Sequence, residues 1–303
     1  MRRHPLFGIF LALFGALVLT PDTLLMRWSE MDGFQMLGWR GTLMGCLLLA
    51  YWAVTRGGLH RADLRAFASG AGLTIVACQF FNATLFSFGI ATAPVSVVLF
   101  GVATVPIFAA ILARLLFGEP THPSTWITIV VVLAGIGLAV FGGHGGADAP
   151  TMRIETLWGA VAGLLVAGTL ALNFVVIRAR PTVPILLGIG TGALLAGLMG
   201  LAITGPARMA DGGVLAIAAT GLVVLPVSFM TLSLAARLTP AANVSLLLLL
   251  ETVLGPLWVW LGTDESPTPA MVAGGAVVVT ALAVYLLYTD RRQARARRRA
   301  GPA

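Results

Sequence analysis

Lysine is absent from this chain: all 19 of its basic side chains are arginine, a uniformity that reads as compositional bias and carries little functional content. Charge of either sign is scarce, at 10% of residues against about 25% in a soluble domain, while 58% are hydrophobic. That balance excludes a soluble globular protein. Cysteine is limited to Cys46 and Cys78, both inside apolar runs, which excludes a disulfide framework and falls short of a zinc ligand set. The chain has no GxxxxGK[ST] phosphate loop and no soluble domain to carry one, which argues against a primary pump. The four histidines, His4, His60, His122 and His144, are scattered instead of clustered at one membrane face, so neither a metal nor a cofactor is expected.

What the chain does have is apolar runs of about 20 residues, each long enough to cross about 30 Å of hydrocarbon. Bounded by charge, proline or glycine clusters, ten such runs are predicted: Leu6–Met26, Phe34–Val54, Phe67–Ile90, Ala93–Phe117, Ser124–Phe141, Thr156–Ile177, Val183–Thr204, Val214–Ala236, Pro240–Gly262 and Pro269–Tyr288. They must be helices, because open sheet edges cannot stand in lipid and the runs lack barrel alternation. The first run follows Arg2 and Arg3 but continues past Pro21 without a small-residue cleavage motif, so it reads as an uncleaved helix. Most connections are short. The longer one, Gly142–Glu155 with its GGHGG run, reads as a joint between halves, and His144 there has no second histidine with which to hold a metal.

Arginine placement orients the chain, since cytoplasmic ends retain positive charge. With the N-terminus inside, fifteen arginines face the cytoplasm, Arg27, Arg153 and Arg208 face out, and Arg40 lies within a span. Both termini are then cytoplasmic. The tail RRQARARRRA follows a cytoplasmic helix end, so it is read as a topology determinant meeting anionic lipid, with no nucleic-acid partner.

An internal echo accompanies this topology. Thr92–Pro123 and Thr239–Pro269 both open on Thr and Pro, run through Val-Ser and an apolar block to Pro106 or Pro256, and leave by a Glu-Pro turn at Glu119 or Glu265. The prolines stand 150 residues apart and the glutamates 146, one helical turn fewer. Two halves of five crossings each must enter the bilayer from opposite sides, giving inverted repeats, which is a transporter signature. The predicted fold is therefore all-α integral membrane, ten transmembrane helices in two inverted five-helix repeats. Residues 1–143 form the first repeat, 144–155 an external linker, 156–290 the second repeat and 291–303 a basic cytoplasmic tail.

Ionisable and polar groups inside spans need a reason to be there. Glu251, near the middle of span nine, is either a protonatable or cation-binding carboxylate in a central cavity or a hydrogen-bonded packing residue. Asp22 and Arg40 sit at similar depth on spans one and two. They are read as a structural or gating pair, with direct substrate contact by Arg40 and independent snorkelling as the alternatives. Gln79 and Asn82, about one turn apart on span three, could bind a polar substrate between aromatic walls of Phe80, Phe81 and Trp39, or could simply join helices. Pro106 and Pro256 are expected to kink corresponding helices near the site. Asn173 and Asn243 read as structural, and Gly188, Gly192, Ala196 and Gly200 as a close-packing stripe on span seven.

With ten spans, cytoplasmic termini, the repeat, and the turns GEPTHP and DESPTP, the chain resembles the EamA-like branch of the drug/metabolite transporter superfamily. The resemblance runs from about Pro5 to Tyr288, and Arg40 looks like an arginine these proteins often carry early in the second helix. It implies two EamA-like repeats in a multi-pass protein of the bacterial inner membrane. It implies movement of a small metabolite, an amino acid or related compound, in the efflux direction by alternating access, without ATP hydrolysis. The resemblance fixes no substrate. Proton coupling through Glu251 and a homodimer are compatible with it. The other class weighed is a non-transporting membrane-embedded enzyme or sensor.

Overall fold

A computed structural model describes residues 7–56, 61–93, 95–141, 154–262 and 269–300 of the chain. Among these, all regular structure is helical. In chain order the helices are α1 (Phe7–Leu19), α2 (Asp22–Ser29), α3 (Gly33–Arg56), α4 (Arg61–Phe67), α5 (Gly70–Thr92), α6 (Val95–Val102), α7 (Val105–Phe117), α8 (Pro123–Phe141), α9 (Ile154–Ala179) and α10 (Ile185–Thr204). There follow α11 (Val214–Ala219), a π turn (Thr220–Val224), α12 (Leu225–Leu238), α13 (Ala241–Leu248), α14 (Leu250–Gly262) and α15 (Pro269–Ala300).

Eight helical stretches are long and apolar enough to cross a membrane: Phe7–Ser29, Gly33–Thr55, Gly70–Thr92, Val97–Phe117, Leu157–Ala179, Ile185–Thr204, Val214–Leu238 and Ala241–Gly262. Shorter apolar helices, Pro123–Leu138 and Val272–Tyr285, stand where spans five and ten are predicted. The protein is an all-α polytopic membrane protein with extensive helix-to-helix packing.

Some predicted boundaries move. Span one runs on to Ser29 beyond the break at Thr20-Pro21. The helix predicted to start at Phe67 starts at Gly70, because Ser69 caps it, its Oγ accepting from the Gly72 N–H at 3.3 Å. α15 continues as one helix from Pro269 through the basic residues to Ala300. Residues 142–153 of the joint and the turn carrying Glu265 lie outside the described residues.

The helices pair in a regular way. α3 lies on α10, α8 on α15, and α7 on α13. α1 packs on α12 and α5 on α9; α6 and α7 pack on α9, as α13 and α14 pack on α1; α5 meets α10, as α3 meets the π turn. Lipid gives apolar helices no hydrophobic reason to associate, so contact rests on close van der Waals packing at small residues. Between α3 and α10 the backbones nearly touch: a Cβ on Gly41 would lie 2.5 Å from the Gly197 nitrogen and 2.6 Å from the Ala193 carbonyl. The stripe on span seven serves two neighbours instead of one. Gly188 and Gly192 face Ile75 and Val76 of α5, whereas Gly200 faces Gly38 of α3, because α10 is wedged between those helices. Asn243 ties three helices together. Its Oδ1 accepts from the Tyr285 hydroxyl of α15 at 2.6 Å, and that hydroxyl lies 3.2 Å from Thr125 Oγ1 of α8.

Candidate functional site

Four of the rods are interrupted, each with a backbone cause. Pro21 has no N–H to offer the Leu17 carbonyl, which accepts instead from Thr20 Oγ1 at 2.8 Å and Thr20 N at 3.3 Å, so α1 ends and α2 begins. Pro106 stands in the first turn of α7, and just before it Thr104 Oγ1 donates to the Gly101 carbonyl at 2.6 Å. The π turn ends just before Pro226, with the Leu225 N–H reaching back five residues to Thr220. Between α13 and α14 the break falls at Leu249, whose carbonyl accepts from Thr252 Oγ1 at 2.7 Å.

Pro256 lies inside α14, and the second-half interruption falls at Leu249, seven residues earlier and two before Glu251. Threonine hydroxyls bonded three residues back accompany this break and all three proline breaks, with Thr220 at the π turn. The Thr252 hydroxyl competes for a helix carbonyl where no proline does.

The interruptions surround one internal cavity of about 50 Å³. Leu19 and Asp22 flank Pro21 on its rim, Val102 ends α6, Leu225 follows the π turn, and Leu248 and Glu251 flank Leu249. Such a volume holds a few water molecules, whereas ligand pockets run to about 300–1,000 Å³.

Five of the seven side chains singled out in the sequence as substrate-binding or coupling groups meet here: Asp22 from α2, Arg40 from α3, Gln79 and Asn82 from α5, and Glu251 from α14. Arg40 Nη2 donates to Asp22 Oδ2 at 2.6 Å, with the two side chains 8% and 1% exposed. The guanidinium also contacts Met26 Sδ through Nη1 and sits 5.7 Å from the centroid of the Phe86 ring. Asp22 Oδ1, Gln79 Oε1 and Asn82 Nδ2 are buried without a hydrogen-bond partner. Glu251 is 5% exposed. The site thus holds two carboxyl groups and one guanidinium, so with all three ionised it would carry one uncompensated negative charge.

Trp39 and Phe81 stand elsewhere. Trp39 is partly buried, donates its indole N–H to the Met209 carbonyl at 2.8 Å and packs with Met26, Met31 and Met36. Phe81 is 52% exposed on the outside of α5, stacked edge-on against Phe80. The aromatic ring that α5 brings to the cavity is Phe86, which sequence reading missed. Its position was legible in principle: residues 79, 82, 83 and 86 share one helical face, and Phe81 does not. The lining from α9 and α12 is apolar, with Val166, Leu170, Phe174, Phe229 and Leu232.

Fastenings close the bundle at both ends. At one end the 205–213 segment is tied to the turn between α2 and α3: Arg208 Nη2 donates to Asp32 at 2.9 Å, Gln35 Nε2 to the Arg208 carbonyl at 2.6 Å, and the Gly213 N–H to Ser29 at 2.7 Å. At the other end Arg178 Nε donates to both Glu119 oxygens, at 2.7 and 2.9 Å, and Nη2 lies 2.6 Å from Oε1. Among the described residues no group of three or more His, Cys, Asp or Glu is placed to hold a metal.

Fold and site together define a polytopic helical membrane protein with a buried charged cavity. Residues 6–141 match the model of the EamA-like transporter family, so the first half of the chain is EamA-like in sequence. A solved structure described only as "Crystal structure of protein" superposes with a TM-score of 0.74 at 18% identity, over 94% of this chain and 97% of that one, which shows a shared fold. No curated protein matches the chain.

Proposed function

We propose that the chain is an EamA-like secondary carrier of the bacterial inner membrane that exports a small metabolite by alternating access. In this reading ten spans form two inverted five-helix repeats, residues 1–143 and 156–290, joined by an external linker at 144–155, with the basic tail at 291–303 and both termini cytoplasmic. The observation that carries it is the cavity: charged side chains enclosed deep in the bundle, positioned by helices that break where they line it. Ionisable groups at that depth mark substrate or ion pathways, and broken helices at a central site are the architecture of carriers.

The packing pattern supports the repeat. Exchanging the first rod with α9, α3 with α10, α5 with α11–α12, the α6–α7 rod with α13–α14, and α8 with α15 leaves the main contacts unchanged. The α1 contact with α12 becomes that of α9 with α5, and the contacts of α3 with α10 and α8 with α15 map onto themselves. Alternating access then means releasing one fastening at a time, the Asp32–Arg208 end or the Glu119–Arg178 end, around a cavity that must widen to admit anything larger than water.

The charge count supports coupling. One guanidinium offsets one of the two carboxyl groups, and the other is neutral only when it holds a proton or pairs with a cation. Glu251, which is not the Arg40 partner, is the group placed to exchange the two. Purified protein in liposomes tests the carrier reading. Saturable uptake that is stimulated by unlabelled substrate on the opposite side is expected for at least one member of a broad metabolite panel. No flux with any member would favour an enzyme or sensor.

A further inference from the structure

The cavity has two unlike walls, and their chemistry narrows what it would take; this inference rests on the carrier reading and deepens it. One wall, including Leu170, Phe174 and Phe229, offers no hydrogen-bonding group. The other carries Asp22 Oδ1, Gln79 Oε1 and Asn82 Nδ2, each without a partner and each on a residue no more than 6% exposed. A buried polar atom left unpaired is costly, so three of them on one small wall mark where the polar end of a ligand belongs.

The sign of that polar end follows from what is spare. Ionised carboxylates only accept hydrogen bonds. The single cation on the wall, Arg40, already has its charge matched by Asp22 at 2.6 Å and its face set toward Phe86. A ligand carboxylate would find no uncommitted cation and would stand beside two carboxyl groups. A ligand ammonium would find Glu251, Asp22 Oδ1 and Gln79 Oε1, all acceptors, with Asn82 able to turn its amide oxygen inward.

We propose that the cavity selects a small protonated organic amine with an apolar body and no carboxylate, in preference to a zwitterionic amino acid. The ammonium sits among Glu251, Asp22 and Gln79, and the body lies against Phe174 and Phe229.

The test uses three probes sharing a phenyl body: phenethylamine, phenylalanine and 3-phenylpropionate. Equilibrium binding of labelled phenethylamine to the full-length protein in detergent is competed with each. Phenylalanine should compete at least tenfold more weakly than phenethylamine itself, and 3-phenylpropionate should not compete. Glu251→Gln should weaken phenethylamine at least tenfold, while Glu251→Asp, which keeps the charge, stays within about threefold. No binding of phenethylamine, equal or better competition by phenylalanine, or unchanged binding in Glu251→Gln overturns the proposal. The competition on the unaltered protein decides even if a variant fails to fold. Binding in detergent requires no flux, so amine binding without counterflow in liposomes would sink the carrier reading alone. Phenylalanine counterflow without phenethylamine binding would sink the amine assignment alone.

Discussion

Asp22 and Arg40, eighteen residues apart and on different helices, meet as an ion pair at 2.6 Å with both side chains enclosed by the bundle. Asp22 is the first residue of α2, directly after the break at Thr20-Pro21, and Arg40 reaches it from α3.

Because the pair is buried, losing one partner should hurt more than losing both. Asp22→Asn removes the carboxylate bonded to the guanidinium and leaves only Glu251 in the cavity to balance it, and a cost of up to about 3–5 kcal/mol is expected. The double variant Asp22→Asn/Arg40→Gln should regain a good part of it. Thermal unfolding of the purified protein in detergent measures both; a double variant no more stable than the worse single one would contradict the pairing as the dominant interaction.

Glu251→Gln keeps the volume and removes the titrating group. The variant should fold and, at substrate concentrations raised to offset its weaker binding, still exchange substrate across liposomes, but a pH gradient should no longer drive accumulation. Flux measured with and without an imposed gradient reads this directly. Gradient-driven accumulation at the level of the unaltered protein would remove Glu251 from coupling.

Two glycines should respond oppositely to the same change. Gly41→Ala forces a methyl against the backbone of α10 and should cost about 1–3 kcal/mol or more. Gly70→Ala meets nothing within 4 Å and should be neutral or add up to about 1 kcal/mol. Folded yield and thermal midpoint distinguish them.

Glu119 and Arg178 are only partly covered, 33% and 26% exposed, so Glu119→Gln should change stability by no more than about 1 kcal/mol. If the pair fastens one end of the bundle, the same variant should nonetheless alter the rate of substrate exchange. A variant unchanged in both stability and exchange rate would leave the pair without a gating role.

Inverted halves place both ends of the chain on one side of the membrane. Epitope tags at the N- and C-termini should be protected together or exposed together when inside-out vesicles are compared with right-side-out cells. Tags on opposite sides would remove the inverted repeat, and with it the carrier reading.

Composition and run length were enough to determine that this is a bundle of apolar helices, because the cost of placing unpaired backbone in hydrocarbon leaves few alternatives. The same cost made Glu251, Asp22, Arg40, Gln79 and Asn82 conspicuous, since a polar side chain stands out in an apolar run whatever its neighbours. Tertiary structure decided the rest. It packed α5 on α10 at Gly188 and Gly192 and brought Phe174 and Phe229 of other helices to the cavity that the 79–82–86 face of α5 lines. It put a second-half break at Leu249, which bonds to Thr252 and Leu246 at a place no proline marks. It also joined Glu119 to Arg178 across 59 residues. A linear pattern tells which groups are expensive to bury; only the packed helices decide which of them face one another.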